Sequence, residues 1–309
     1  MNDTDRLVMR GREVDPAVGG TVARVVPGSD AWAYTGVEVL VLAAGSSRAL
    51  TLDGVEALVL PLSGGCRLDV VSPRGGAEHL TLAGRRDVFA GPSDSVYLPV
   101  GSVVTIHAPA AGPVRLAVCT ARAGRACPVR LLRADEATVD LRGAGHASRK
   151  VVNYTLGTGV AVDHLLVCEV LTPGGNVSSY PPHKHDQHSR DERELEEIYY
   201  FEVADGPAGP GVAYHRTYGT SARPIDVLAE VRTGDVALVP HGYHGPTIAL
   251  PGYDLYYLNV MAGPAKDHHW LMVDDPAYHW VRASWANQEI DPRLLPEPTP
   301  VTTPSNEAH

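Results

Sequence analysis

The chain has 309 residues, enough for one large β domain or two smaller ones with a substantial buried core. Its formal net charge of −10 repels a polyanion and argues against nucleic acid as a partner, while a small anionic ligand stays compatible because a few buried groups set the local field. No apolar run approaches the ~18 residues of a membrane span. The start, Met1-Asn-Asp-Thr-Asp-Arg, lacks the basic region and apolar stretch of a secretory signal. Cys66, Cys119, Cys127 and Cys168 show no Cys-x-x-Cys spacing, and three of them sit in or beside apolar runs. Reduced, buried thiols and a cytoplasmic location are the expectation.

In chain order, 31 glycines and 25 prolines cut the sequence into short runs rich in Val, Leu and Tyr. The runs at 37–42, 57–62, 96–98, 103–106, 114–119, 164–170, 198–203, 236–239 and 254–261 read as strands. Many short strands with turn signals between them predict an all-β sandwich or barrel. The two halves echo each other. Val55-Glu-Ala-Leu-Val-Leu resembles Glu196-Glu-Ile-Tyr-Tyr-Phe, and Ser93-Asp-Ser-Val-Tyr-Leu-Pro matches Gly234-Asp-Val-Ala-Leu-Val-Pro. Glu56 to Glu197 and Pro99 to Pro240 span the same 141 positions. A constant spacing across two motifs predicts duplication, hence two tandem β-barrels in one chain. The expected division is 1–145, 146–290 and a disordered Pro-rich tail at 291–309. On this alignment Glu56 is the counterpart of Glu197 and is read as a solvated strand-end carboxylate.

The densest chemistry lies in the second half. Tyr180-Pro-Pro-His-Lys-His-Asp places His183 and His185 two residues apart, so an extended segment turns both imidazoles to one face. Glu197 opens the next apolar run, and His244 follows the turn Pro240-His-Gly-Tyr. Three imidazoles and a carboxylate form a ligand set for a divalent metal. The equivalents of the three histidines in the first half are Leu42, Ala44 and Val103, so the site is expected in the second barrel alone. The charged loop 186–196 is expected to be solvated at the barrel mouth, with a lid role open to it.

His-x-His, Glu, then Gly-x5-Pro-x-Gly and His resembles the paired motifs of the cupin barrels. The fuller strings, with Pro251-Gly-Tyr-Asp-Leu-Tyr-Tyr-Leu-Asn-Val-Met-Ala-Gly-Pro, closely resemble the 5-deoxy-glucuronate isomerase family of myo-inositol catabolism (KduI/IolB). The likeness runs over residues 5–285 and is densest at 180–264. It implies a bicupin with one divalent ion per chain, zinc first with manganese, iron or nickel as alternatives, held by His183, His185, Glu197 and His244. It implies a small anionic sugar acid as substrate: 5-deoxy-D-glucuronate, converted to 2-deoxy-5-keto-D-gluconate. The family pattern carries Gln where this chain has His215.

Such a reaction moves a proton between adjacent carbons, and a Lewis acid stabilises the charge that develops. Glu197 and Tyr199 are the expected catalytic residues. Tyr199 shares a face with Glu197 by alternation, with core packing as its other reading. Tyr257 and Asn259 are expected at the substrate, Asn259 as a polar residue in an apolar run. Arg216, between tyrosines, is the candidate for the substrate carboxylate. His268 and His269 read as surface or interface groups. A metal-dependent dioxygenase using Fe(II) and a non-catalytic sugar-binding bicupin are the competing readings. The sequence leaves homo-oligomer formation open.

Overall fold

The computed structural model describes residues 2–28, 32–267 and 269–295. A short helix, α1 (Asp3–Leu7), leads into β1 (Val8–Met9). The first half then supplies β2 (Gly20–Val25), β3 (Thr35–Leu42), β4 (Ser47–Thr51), β5 (Val55–Val71), β6 (Ala77–Arg85), β7 (Ser95–Leu98), β8 (Val103–His107) and β9 (Val114–Arg122). Next come β10 (Arg130–Leu132), β11 (Thr138–Arg142), β12 (Arg149–Asn153), β13 (Leu166–Thr172), β14 (Val177–Ser178) and β15 (His183–Lys184). The rest is β16 (Glu196–Val203), β17 (Ala213–Tyr218), β18 (Asp226–Val231), β19 (Val236–Val239), β20 (Tyr243–Ala249), β21 (Leu255–Ala262), β22 (Val273–Asp274) and a helical turn, α2 (Val281–Ser284). The architecture is all-β, as the run lengths predict, and every apolar run read from sequence lies in or overlaps a strand.

Two sheets repeat one strand order. The first reads β10-β7-β5-β9-β3-β2 and the second β1-β19-β16-β21-β13-β12, with β11 added at its edge. The edge strands are exchanged: β1, from the start of the chain, pairs with β19 of the second barrel, and β10, just before the second barrel, pairs with β7 of the first. Each exchange covers a sheet edge that would otherwise present unpaired N–H and C=O groups. The division expected between 145 and 146 falls in the turn of the β11–β12 hairpin, and both of its strands belong to the second sheet.

Alternation along each strand sends one row of side chains into its own barrel and the other toward the opposite barrel. Val59, Leu68, Leu98, Leu116 and Ile106 fill the first barrel, and Tyr199, Phe201, Val227, Tyr257 and Met261 fill the second. Between the barrels Leu58, Leu60 and Leu62 meet Ile198, Tyr200, Leu258 and Val260. All are essentially inaccessible, and each large side chain buried there contributes about 1.5–3 kcal/mol. Arg85 crosses this interface to Glu169, whose oxygens also accept the Tyr154 and Tyr256 hydroxyls at 2.8 and 2.6 Å. That carboxylate is buried but fully partnered, the condition under which a buried ion pair is tolerated.

The register corrects the reading of Glu56. Pro99 and Pro240 hold β7 and β19 in correspondence, yet it is Ala57 that pairs with Leu98 where Glu197 pairs with Val239. Likewise Glu56 pairs with Ala121 where Glu196 pairs with Ala262. Glu56 is therefore the counterpart of Glu196, and Ala57 that of Glu197. A shift of one residue changes the face. Glu56 is wholly buried and accepts the backbone N–H groups of Asp163, His164 and Leu165 at 2.6–2.7 Å, plus the Tyr97 hydroxyl at 2.5 Å. Glu196 accepts those of Ala33, Tyr34 and Thr35 at 2.6–3.3 Å. Each barrel thus clamps the segment leading into the other barrel's sheet.

The tail reading is corrected at its start. Asp291 accepts from the Asn176 amide at 2.9 Å and its own N–H donates to Ser148 Oγ at 3.0 Å, and Leu294 is buried. Pro292 opens a helical turn there, where its missing N–H costs nothing. Residues 296–309 lie outside the described residues, as does His268. His269 is exposed, as expected. All four cysteines are buried and free. Among the described residues no helix is long and apolar enough to cross a membrane.

Candidate metal centre

His183, His185, Glu197 and His244 converge inside the second barrel, all nine-tenths buried or more. His183 lies on β15 opposite His244 on β20, and His185 follows two residues on, with Lys184 turned away. The tightest group is His185, Glu197 and His244, whose ligand atoms lie within 4.8 Å of one another. The His183 ring centroid is 4.5 Å from that of His244 and 6.4 Å from that of His185. Gly245, next to His244, has φ 99°, and a Cβ there would stand 1.7 Å from Ser179 O. Only glycine lets β20 approach the β14–β15 segment so closely.

All three imidazoles are oriented by one device. Nδ1 of His183 lies 3.2 Å from Pro181 O, that of His185 3.2 Å from Leu195 O, and that of His244 3.3 Å from Gly242 O. A carbonyl accepts only from N–H, so the proton sits on Nδ1 and the Nε2 lone pair faces inward. Glu197 Oε2 is 2.9 Å from His185 Nε2 and 3.1 Å from His244 Nε2. His244 Nε2 is buried with no hydrogen-bond partner. Lone pairs converging on a carboxylate, with no donor among them, demand a cation, and the donor set fits a divalent metal.

The electrostatics favour positive charge against this carboxylate, whether an ion or the rings themselves carry it. Burial pushes His183 well below its usual range, and the His244 and His185 charges add to this, so it stays neutral and able to ligate. Burial works against an ionised Glu197, but His244 and His185 outweigh it and hold the carboxyl well below its ordinary range. His185 is pushed down by burial, and the Glu197 carboxylate more than offsets that.

A cavity of about 340 Å³ opens beside these groups, and its lining includes His183, Glu197, Tyr199, Tyr257, Asn259 and Ser179 together with Arg142, Arg149, Trp270, Met272 and Arg282. Tyr199, Tyr257 and Asn259 stand at this cavity, as alternation predicts. Ser179 Oγ bridges the Tyr199 and Tyr257 hydroxyls at 3.0 and 3.1 Å. Ser179 has φ 46°, a left-handed conformation uncommon for serine, and such residues cluster at functional sites. Burial, then Glu197, keeps the Tyr199 phenol protonated. Asn259 is 2% exposed and its Nδ2 has no protein partner, and Trp270 Nε1 is likewise buried without one.

Arg216 does not reach the cavity. On β17 the inward residues are His215 and Thr217, and Arg216 turns outward to pair with Asp226 and to donate to Val227 O at 2.9 Å. The alternation that placed Tyr199 correctly excludes Arg216. The inward His215 holds Thr247 Oγ1 and Thr217 Oγ1 at 3.0 and 3.2 Å, and burial, with His244, pushes it down to about 3. The arginines that do line the cavity went unread. Arg149 stands two residues before the inward Val151, so alternation signals it, whereas nothing local marks Arg142 or Arg282. The loop 186–196 is less solvated than its charge suggests. Glu192 and Leu195 are buried, and Lys184 Nζ ties Glu192 to Asp186 at 2.8 Å each.

The chain is 43% identical over 271 residues to the 5-deoxy-glucuronate isomerase of Geobacillus kaustophilus, covering 87% of this chain and 93% of that one. It is 36% identical over 250 residues to the Bacillus subtilis protein of the same name, covering 80% and 88%. An IolB-like protein from Salmonella typhimurium superposes with a TM-score of 0.79 at 33% identity, over 89% of this chain and 98% of that one. Oxalate decarboxylase from Lactobacillus farciminis, with a TM-score of 0.62 at 12% identity over 87% and 88%, shares the fold. The KduI/IolB family pattern matches residues 8–281, so the chain belongs to the KduI/IolB family.

Proposed function

We propose that this chain is a 5-deoxy-glucuronate isomerase, interconverting 5-deoxy-D-glucuronate and 2-deoxy-5-keto-D-gluconate. The observation that carries the reading is the inward convergence of His183, His185, Glu197 and His244 on a polar-lined cavity, in a chain 43% identical to a protein of that name. These four residues would hold one divalent ion per chain, zinc first and manganese, iron or nickel after it. When bound, such an ion supplies Lewis-acid polarisation of neighbouring carbonyl and hydroxyl oxygens.

The protein's own groups do the rest. Glu197, held ionised, and the protonated Tyr199 border the same cavity, an acceptor beside a donor. In the reaction a proton leaves C2 and returns to C1, while the hydroxyl hydrogen passes from O2 to O1. Tyr199 donates to a substrate oxygen, with its hydroxyl aimed by Ser179. Asn259 Nδ2, which has no protein partner, donates to a substrate hydroxyl. Tyr257 and Met272 wall the cavity against water. A cytoplasmic setting, from the reduced cysteines, belongs to the same proposal.

The test is incubation of zinc- or manganese-loaded protein with 5-deoxy-D-glucuronate under anaerobic conditions, with the aldehyde and ketone signals followed by NMR. Turnover without oxygen, with deuterium from C2 exchanged or transferred to C1, is the expected result. A strict requirement for O₂ would leave the dioxygenase reading standing, and binding without turnover the sugar-binding one.

A further inference from the structure

We propose that Arg149 is the anchor for the substrate's carboxylate, in the cavity that His183 and Glu197 also border, so that the pocket takes a short sugar acid rather than a neutral sugar. This rests on the isomerase reading for the identity of the substrate, and on the pocket alone for the anion site.

Three arginines line the cavity, but their charges are not equally free. Arg142 pairs with Asp140 at 3.1 Å, and Arg282 grips Asp274 through two contacts at 2.5 and 2.7 Å. Arg149 is 8% exposed, and among the described residues no carboxylate pairs with it. Its protein contacts are a bond from Nη1 to Ala147 O at 3.1 Å and the Trp285 ring, 5.6 Å from the guanidinium carbon. A buried charge without a counter-ion is costly unless a ligand brings one. Burial is the largest influence on the guanidinium, Tyr257 and Tyr199 oppose it, Arg142 and Arg282 reinforce it, and together they bring it down to about 10. It remains charged at neutral pH, in a positive field that an anion relieves. A planar guanidinium suits a carboxylate through two parallel bonds.

The sheet supplies the spacing. Arg149 opens β12, and the order β12-β13-β21-β16 puts two strands between it and Glu197. The register sets Lys150 level with Leu171, Tyr256 and Glu202, so Arg149 lies at the Val203 end of β16, six residues and about 20 Å along the strands from Glu197 as well as across them, and the two side chains come together only at the shared cavity. The floor between them carries Tyr257 and Asn259, whose polar groups suit the hydroxyls of the intervening carbons.

The experiment compares three compounds on the metal-loaded, full-length protein. They are 5-deoxy-D-glucuronate, its neutral analogue with CH₂OH in place of the carboxylate, and D-gluconate, which has no carbonyl to isomerise and serves as a calorimetric probe. Wild type should favour the uronate over the neutral analogue in kcat/KM by about 100-fold. Arg149→Gln should erase that ratio, chiefly through KM, and abolish D-gluconate binding while metal content stays at one ion per chain. An unchanged ratio or unchanged D-gluconate binding in Arg149→Gln overturns the proposal. So does failure of wild type to bind D-gluconate. If wild type binds D-gluconate but does not isomerise the uronate, the isomerase reading fails, and Arg149 is decided by the binding arm alone. If Arg149→Gln loses metal or unfolds, Arg149→Lys replaces it, with an expected loss of about 10-fold in the ratio because one point charge replaces the bidentate fork, and an intact ratio overturns the proposal.

Discussion

The two barrels share a strand order, an edge exchange and a carboxylate clamp, and they differ in what they point inward. Where the second barrel carries Glu197, Tyr199, Tyr257 and Asn259, the first carries Ala57, Val59, Leu116 and Val118, all buried. The first interior is apolar and needs nothing from outside. The second buries three imidazoles, an ionised carboxylate, an unpartnered amide nitrogen and a surplus guanidinium, each at a cost in desolvation. The fold therefore does not require the polar interior. A polar interior held against that cost, in one copy of a duplicated scaffold, marks where the chemistry is.

Removing a ligand breaks this contrast most severely. His185→Ala or Glu197→Gln should lower kcat by roughly 10³-fold or more and release the ion, because the Lewis acid is worth several kcal/mol. Metal analysis of wild type should give one ion per chain, and a second ion in the first barrel would overturn the contrast. Chelation should lower the melting temperature, since bound metal stabilises the folded state by mass action.

Acid should act next, through the polar interior. His215 has a folded pKa of about 3 against an ordinary 6.5, so the unfolded chain binds more protons between those values. The stability tied to its neutral form is complete above pH 6.5 and is lost as pH falls toward 3, by at most about 5 kcal/mol. Denaturant midpoints between pH 7 and 4 should fall less steeply for His215→Gln than for wild type. Equal slopes would remove His215 from the acid response.

The clamps should matter equally little to chemistry. Glu56→Gln and Glu196→Gln should each cost about 1–3 kcal/mol, because a backbone N–H loses its charged acceptor, with the larger loss at the fully buried Glu56. Metal content should be unchanged in both. Loss of metal in Glu56→Gln would overturn the assignment of Glu56 to the clamp alone. The smallest effect is expected for Arg216→Ala. Its pair with Asp226, whose side chain is 80% exposed, is worth less than about 1 kcal/mol, and KM should not move.

What the sequence determined by itself is local. Strands follow from short β-branched and aromatic runs between Gly and Pro, so the all-β class and the repeat were legible. The ligand set was legible because ligands need particular residue types, and His183, His185 and Glu197 fall within one short stretch. Alternation alone placed Tyr199, Tyr257 and Asn259. The tertiary structure decided the rest. Glu56 and Glu197 align in sequence, but pairing slides β5 by one residue against its neighbours, and in a strand one residue is the difference between facing into a barrel and facing the other barrel. Arg149 and Glu197 stand far apart in sequence and in register, and only the folded barrel brings both to one cavity. The choice between Arg149 and Arg216 is one of facing and counter-ions: Asp226 sits beside Arg216, and among the described residues no carboxylate pairs with Arg149, a difference in surroundings that composition and spacing do not carry.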